Sequence, residues 1–238
     1  MIKDRRPFKH MRAATVTSLI LLALGAWAAW EQIGVKEWTA RRLQAQAPRA
    51  LDPAFLRLSP LEIARLPLAL RFDHPMGSQH GALTYDAQPF RLNRHLGADL
   101  NGIGGGNSDL GDPVFASGTG QVVYAGVPGP GWGKMVILAH RVPDLEDPAR
   151  ERIYQTVYAH LETILVKPGQ LMQRGEKLAT VGTGGGQYLA HLHFEVREGP
   201  YVNPGQGYAD SPLNRVSPET FIAQRRGALD EQMNSPPK

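Results

Sequence analysis

From about Arg71 onwards, the chain consists of short runs in which apolar and polar residues alternate, and glycine-rich turns separate these runs. Alternation with a period of two places successive side chains on opposite faces of a strand, so it predicts β-structure. The 26 glycines and 19 prolines among 238 residues favour short strands and many turns over a helical bundle. The runs predicted as strands are Val114–Ala125, Lys134–His140, Ile153–His160, Lys177–Val181 and His191–Arg197.

The N-terminus carries a basic flank followed by an uncharged segment, Ala13–Trp30, that is just long enough to cross a bilayer as a helix. Because basic flanks stay on the cytoplasmic side, this arrangement predicts export of everything after the segment. Ala26-Trp27-Ala28 resembles a signal-peptidase site, which leaves a cleaved signal open. We favour an uncleaved single-pass anchor, because Trp27 and Trp30 suit the membrane interface. The basic residues are Lys3, Arg5, Arg6, Lys9 and Arg12.

Proline and glycine divide the rest of the chain. Four prolines prevent one long helix over 48–67, so residues 31–70 are interpreted as a juxtamembrane stalk that packs loosely against the folded body. That body is predicted over residues 71–226. Near its end, Ser217-Pro218-Glu219 is a good helix start, and that helix is expected to end near Gly227. Residues 227–238 are predicted to form a flexible tail, and residues 1–30 the signal anchor.

The charge is distributed unevenly, and its distribution excludes one class of partner. Residues 1–50 hold nine Lys and Arg against three Asp and Glu, so the remaining chain carries a net charge of −2. A slightly acidic folded body has no basic stripe for nucleic acid, so we exclude a nucleic-acid partner. The absence of cysteine excludes disulfides, thiolate metal sites and a cysteine nucleophile.

The segment Ala190–Arg197 places two histidines together. In a strand, the apolar residues at 192, 194 and 196 point into a core, and His191 and His193 share the opposite face with Glu195 and Arg197. Two histidines on one strand face lie close enough to serve one metal or one substrate. The alternative is an ordinary half-buried strand with a polar outer face, in which Glu195 and Arg197 pair with each other.

Two further positions strengthen the functional interpretation. His95 and Asp99 offer an imidazole and a carboxylate four residues apart, in a segment predicted as a turn because glycine interrupts it. Neutral nitrogen with a hard oxygen is a combination that zinc accepts. His160 ends the third predicted strand, where alternation places it on the same face as Thr156 and Tyr158.

At these residues the chain resembles the lysostaphin-type zinc metallopeptidases, the cell-wall endopeptidases with a LytM-like domain (peptidase family M23). The resemblance covers roughly residues 80–200. The matching segments, in the family's order, are His95-Leu-Gly-Ala-Asp99, Pro113–Gly126, Tyr158-Ala-His160-Leu, Val166–Gly182 and His191-Leu-His193-Phe-Glu-Val-Arg197.

The resemblance implies a mainly β, barrel-sandwich-like LytM domain in which an antiparallel sheet forms a groove with zinc on its floor. It implies one Zn2+ per chain, held by His95, Asp99 and His193, with His160 and His191 as the non-ligand catalytic pair. Three protein ligands leave a fourth position for water, and two histidines can orient that water and move its proton. Residues 71–226 are therefore expected to form a zinc metallopeptidase domain.

The resemblance also implies the substrate and the compartment. We expect a zinc-dependent endopeptidase that hydrolyses the peptide crosslinks of bacterial peptidoglycan by a zinc-activated water, outside the cytoplasm and tethered to the membrane by the N-terminal helix. The alternative is a non-catalytic regulator that binds and activates other cell-wall hydrolases, as some family members do. A lipoyl-like or biotinyl-like hairpin over Val166–Val181 is discounted, because it lacks a suitable lysine at an exposed turn.

Other features receive lesser interpretations. The glycine-rich stretch Asn101–Leu110 comes just after the first motif, so we expect it to affect substrate access, whereas Arg141–Arg152 is interpreted as simple loop growth. His140 shares a predicted strand face with apolar residues and is expected to be structural. His74 and His80 lie in loop-like sequence and are given no role.

Overall fold

The computed structural model describes residues 56–77 and 83–227, which belong to one compact unit, Ala50–Lys238. The described strands are β1 (Leu56–Arg57), β2 (Thr84–Gln88), β3 (Ala98–Gly102), β4 (Pro113–Phe115), β5 (Gly120–Gly126), β6 (Lys134–Pro143), β7 (Glu151–Ile164), β8 (Leu171–Met172), β9 (Lys177–Val181), β10 (Leu192–Glu198), β11 (Tyr201–Val202) and β12 (Arg215–Val216). The helices are α1 (Pro60–Arg65) and α2 (Pro218–Arg225), with a 3₁₀ turn at Leu92–Arg94.

One large antiparallel sheet organises the described residues. Its main path runs β2-β3-β10-β7-β6-β5-β8, with β12 beside β10 and β9 pairing with both β4 and β7. The strand pairs of this sheet, and the small β1–β11 pair, are antiparallel. The prediction of a mainly β, antiparallel fold is therefore confirmed.

The predicted strands differ from the observed ones mainly at their ends. β9 has the predicted bounds, whereas β6 and β7 extend beyond them. The predicted strand Val114–Ala125 is broken into β4 and β5. The break occurs because Ser117 turns away from the ladder: its backbone N–H donates to the Tyr158 hydroxyl (2.8 Å) and its own hydroxyl donates to the Asp73 carbonyl (2.5 Å).

Both faces of the central strands are buried, which places hydrophobic cores on the two sides of the sheet. On β6, Val136 and Leu138 belong to one core, whereas Met135, Ile137 and Ala139 belong to the other. A strand buried on both faces needs a continuous apolar run rather than strict alternation. On β10, the polar residues His193, Glu195 and Arg197 alternate with Leu192, Phe194 and Val196, which belong to the first of these cores.

The segment before the first motif is part of this packing. Leu58 and Leu66 are 4% and 2% exposed in one core, and Phe72 is fully buried in the other. A capping box between Ser59 and Glu62 begins α1, as expected for a proline-led helix start. The part of the predicted stalk that the structure describes, residues 56–70, thus packs tightly against the sheet instead of loosely. The prolines that exclude a long helix are compatible with the six-residue helix α1 and with the non-helical segments on either side of it.

Helix α2 begins as predicted, because the Ser217 side chain accepts a hydrogen bond from the Thr220 backbone N–H. The predicted anchor at residues 1–30 and the tail at 228–238 lie outside the described residues. Within residues 56–77 and 83–227, no helix has both the length and the apolar character to cross a membrane.

Candidate metal centre and catalytic cleft

Two neighbouring strands bring the predicted ligands together. His193 on β10 lies directly opposite Asp99 on β3 in the antiparallel register. His95 lies just before β3, where a single β-bridge to Tyr208 holds its backbone. The prediction of a turn over His95–Asp99 is therefore wrong for Ala98 and Asp99, because both residues lie on the paired strand β3. Pairing with β10 outweighs the local preference of the flanking glycines for a turn.

The three predicted ligands converge on one point. His95 Nε2 lies 3.0 Å from His193 Nδ1 and 3.3 Å from Asp99 Oδ1, and the last two atoms are 3.0 Å apart. Ligand atoms bound tetrahedrally to zinc at about 2.0–2.1 Å lie about 3.3 Å from one another. The described residues thus contain a His-Asp-His group whose spacing and donor chemistry fit a zinc ion.

Hydrogen bonds fix which imidazole nitrogen each ligand offers. His95 Nδ1–H donates to the Gln88 carbonyl (2.8 Å), which leaves the lone pair of Nε2 in the site. In His193 the two nitrogens have exchanged roles. Its Nε2 lies 3.0 Å from Glu195 Oε1, so Nε2–H donates to that carboxylate and Nδ1 is the nitrogen left for a metal. In its neutral form, each ring would direct the lone pair of this nitrogen at the point that Asp99 also faces, as metal-binding histidines with an anchored second nitrogen do.

The charges at the site are strongly coupled. Burial by itself would lower the pKa of His193, but hydrogen bonds to Asp99 and Glu195 raise it to about 9. Burial would raise the pKa of Asp99, but hydrogen bonds from His193 and His95 hold it below its usual range. The pKa of Glu195 is also lowered, because Arg197 and Arg215 outweigh its burial. A metal ion entering the site would displace the proton of His193.

His160 reaches the site through a local irregularity of β7. Its backbone has a positive φ of 61°, and the register of β7 shifts between Tyr158 and Leu161 against β6 and between Leu161 and Thr163 against β9. The ring lies near His193 (centroids 5.5 Å), whereas Tyr158 packs into the core on Phe194. The prediction that His160 shares a face with Thr156 and Tyr158 is therefore wrong. A bulge re-aims one side chain in this way, and such bulges are enriched beside active sites.

The two non-ligand histidines present the same nitrogen to the cleft. His160 Nδ1–H donates to the Trp132 carbonyl (3.2 Å), and His191 Nδ1–H donates to the Leu189 carbonyl (2.8 Å). The Nε2 atoms are left free, and that of His191 lies 3.7 Å from Asp99 Oδ1. Burial, together with the neighbouring His193 and His191, lowers the pKa of His160 to about 3, so it is neutral at physiological pH. The rings of His160 and His191 are 4.8 Å apart.

These groups line an open cleft of about 320 Å³. The sequence did not single out its aromatic wall, which comes from loops without strand periodicity. Trp132 stacks against His160 and meets His193 edge-on (centroids 6.4 and 5.2 Å), and its indole N–H donates to the Gly205 carbonyl. The lining residues are Gln88, Asp99, Pro130, Gly131, Trp132, His160, Tyr188, His191, His193, Gly207 and Tyr208.

The glycine-rich stretch Asn101–Leu110 contacts the chain just before the histidine pair. The Asn107 side-chain oxygen accepts from the Ala190 backbone N–H (2.8 Å), and the Asn101 amide donates to the Ala190 carbonyl (3.4 Å). Ala190 directly precedes His191, so this loop holds the backbone beside it. Its predicted effect on substrate access stays a prediction.

The two other described histidines, His140 and His74, lie outside the cleft. His140 is fully buried against Phe72, and its Nδ1–H donates to the Thr119 carbonyl. Burial lowers its pKa to about 4, in keeping with a neutral structural residue. His74 lies in a separate depression beside α2, and His80 is outside the described residues.

Known proteins resemble the chain over these same residues. The model of peptidase family M23 matches residues 94–204. The lipoprotein NlpD of Yersinia enterocolitica is 38% identical over 95 residues, which cover 40% of this chain and 87% of that protein. The murein hydrolase activator NlpD of Escherichia coli is 36% identical over 107 residues, covering 42% of this chain and 25% of that protein. The peptidoglycan DD-endopeptidase ShyB of Vibrio cholerae is 38% identical over 87 residues, covering 37% of this chain and 18% of that protein.

The chain thus spans most of the Yersinia relative but only a quarter or less of the other two. The residues matched by the family model, 94–204, include the three members of the ligand group and the two further histidines. The chain belongs to peptidase family M23.

Proposed function

We propose that the protein is a zinc endopeptidase that cuts peptide crosslinks of bacterial peptidoglycan. The observation that carries the proposal is the convergence of five side chains: Asp99, His160, His191 and His193 line one open cleft, and the fully buried His95 contacts two of them. Three of them lie at the spacing of tetrahedral metal ligands, and His160 and His191 face the same space with free Nε2 atoms. A closed structural zinc site would need a fourth protein ligand and no cleft.

In this proposal each residue has a separate task. His95, Asp99 and His193 hold the zinc, which when bound supplies a Lewis acid that lowers the pKa of water and polarises the scissile carbonyl. His160, which is neutral, accepts a hydrogen bond from water through Nε2 and orients it, whereas His191 accepts a proton through Nε2, or donates it once charged, at the reacting atoms. Trp132 and Leu189 hold these two rings through backbone carbonyls, so the Nε2 atoms keep their direction.

The substrate and the location rest on the family and on the sequence. The Vibrio relative is named a peptidoglycan DD-endopeptidase. The cleft is open, and aromatic rings of Trp132, Tyr188 and Tyr208 line it, which suits contact with a peptide. Together with the basic flank and apolar segment at residues 1–30, this supports an envelope enzyme with its catalytic domain outside the cytoplasm.

A second candidate function has a specific observation in its favour. The Escherichia coli relative is named a murein hydrolase activator, and it is about as similar to this chain as the endopeptidase is. A regulator of this kind would bind the wall or another hydrolase without cutting peptide bonds. It would not need zinc or the two free histidine nitrogens.

The test uses the full chain with purified peptidoglycan sacculi, in zinc-replete buffer and with a chelator. Release of muropeptides that the chelator abolishes is expected. His160→Ala and His191→Ala should keep one zinc per chain while release falls about a hundredfold, the scale of losing a general acid–base group. His95→Ala, Asp99→Ala and His193→Ala should lose zinc and activity together. His74→Ala, a histidine outside the cleft, is the matched control and should keep both.

Two outcomes would contradict parts of this proposal. No release by a wild-type protein that carries zinc would favour the regulator. Zinc loss from the His191 variant, with zinc kept by the His193 variant, would show that the roles on β10 are reversed.

A further inference from the structure

A buried ionic cluster lies directly behind the metal centre. Glu195 is completely buried, and Arg197 and Arg215 are 1% and 2% exposed. Glu195 Oε1 accepts from His193 Nε2–H at 3.0 Å, and its Oε2 accepts from Arg197 Nε at 2.6 Å and Arg215 Nε at 3.1 Å. Both carboxylate oxygens are therefore engaged, one by a predicted metal ligand and the other by two guanidinium groups.

Such a cluster is not needed to complete the core. Burying a carboxylate and two guanidinium groups carries a large desolvation cost, and well-packed apolar side chains of similar volume stabilise a fold as well or better. The prediction that Glu195 and Arg197 simply pair with each other accounts for one of the three contacts of Glu195. The contact to His193 and the second arginine need another explanation.

The arginines continue the chain of hydrogen bonds into the cleft wall. Arg197 donates to the carbonyls of Asn203 and Pro204, and Arg215 donates to that of Gln206 (3.3 Å). The next residue, Gly207, lines the cleft and accepts from the Leu96 backbone N–H at 2.9 Å. One cluster thus connects the ring of His193 to the loop 203–207.

We propose that Glu195, held by Arg197 and Arg215, is a positioning residue that fixes His193 as its Nε2–H tautomer and aims Nδ1 at the metal. The inference rests on the proposed zinc site. A free His193 ring exposes either nitrogen, and the Nδ1–H form offers no lone pair at the ligand position. The carboxylate selects the competent form, and the arginines keep the carboxylate charged and stationary. The same arginines hold the loop 203–207. The proposed metal ligand His193 and this part of the cleft wall are therefore held by one cluster.

The experiment measures zinc affinity on the full chain by competition with a chromophoric chelator, alongside thermal unfolding without metal. Glu195→Gln removes the charge, and Glu195→Asp keeps it but withdraws the carboxylate by one methylene. Asp73→Asn is the matched control, because Asp73 is a buried carboxylate (7% exposed) that pairs with an arginine, Arg174, away from the cleft. We expect zinc affinity to fall about 10–100-fold in both Glu195 variants and to stay unchanged in Asp73→Asn.

A spectroscopic readout separates positioning from general stability and does not depend on a folded variant. In the zinc-loaded wild-type protein, the imidazole ¹⁵N shifts of His193 should show a protonated Nε2 and a metal-bound Nδ1. Binding through Nε2 would overturn the proposal, as would zinc affinity within about threefold of wild type in a folded Glu195→Asp protein, because the expected loss is at least about tenfold. Failure of the wild-type protein to bind zinc at all would instead refute the proposed zinc site.

Discussion

A methyl group added at Gly97 would enter space that the His193 ring already occupies. An ideal Cβ at this position would lie 2.8 Å from His193 Cε1, 2.9 Å from His193 Nε2 and 2.7 Å from the Phe194 carbonyl oxygen. Contacts this short force a neighbour to move. Phe194 belongs to β10, which pairs with strands on both sides, so its carbonyl can move little. The backbone at residue 97 and the ring of His193 must therefore give way.

The displacement can be estimated from these distances. Restoring ordinary contact of about 3.4 Å requires the ring to move about 0.5–0.6 Å relative to residue 97, which reaches the tolerance of about 0.5 Å within which a metal ligand must be held. The shift also stretches the hydrogen bond to Glu195. We expect Gly97→Ala to weaken zinc binding about 10–100-fold and to cost about 1–3 kcal/mol of unfolding free energy through overpacking.

The assay is chelator competition for zinc affinity together with chemical denaturation of the metal-free protein. Gly227→Ala is the matched control, because a Cβ there meets nothing within 4 Å and the residue has no positive φ. The control should match wild type in both measurements. A Gly97→Ala protein with wild-type zinc affinity would refute the reasoning, since it would mean that the ring of His193 is free to move without consequence.

Three further predictions concern pH and packing. Because the pKa of His193 is raised to about 9, zinc must displace its proton, so apparent zinc affinity should rise about tenfold per pH unit from pH 7 and level off above about pH 9; a flat profile by chelator competition would contradict this. Because the pKa of His193 is higher in the folded than in the unfolded chain, protonated His193 stabilises the metal-free protein. This stabilisation should be complete below about pH 6.5 and lost as the pH rises through about 9, as thermal unfolding across pH would show. Leu66→Ala should cost about 2–5 kcal/mol in denaturant unfolding, because Leu66 is 2% exposed, whereas Leu68→Ala (40% exposed) should cost under about 1 kcal/mol. Equal effects would mean that the segment around α1 is not part of the core.

Much of the sheet was predictable, because its long strands are periodic over enough residues to be recognised. The short strands were not: β1, β8, β11 and β12 have two residues each, too few for any period. β3 was missed for a different reason, since glycine at 97 and 102 suggested a turn. The pairing partner of such a segment lies nearly a hundred residues away, on β10, and no local pattern reveals it.

The site was predictable in its members but not in its geometry. The spacing of histidines and the resemblance indicated which side chains to consider. The position of His160 depends on a backbone bulge, and strict alternation places it on the wrong face. The role proposed for Glu195 depends on two arginines, one of which, Arg215, lies on another strand. Only the folded chain shows that these three groups meet.

The hydrogen bonds that orient the histidines differ in how they tolerate amino-acid replacement. His95, His160 and His191 donate to main-chain carbonyls, of Gln88, Trp132 and Leu189. Every residue type has a carbonyl, so these three acceptors survive a change of side chain at their own positions. His193 alone among them depends on the identity of a side chain. Genetic drift can therefore alter the residue at three of the four acceptor positions without removing the acceptor of the hydrogen bond, whereas the fourth acceptor is lost when Glu195 is replaced by a residue without a side-chain acceptor.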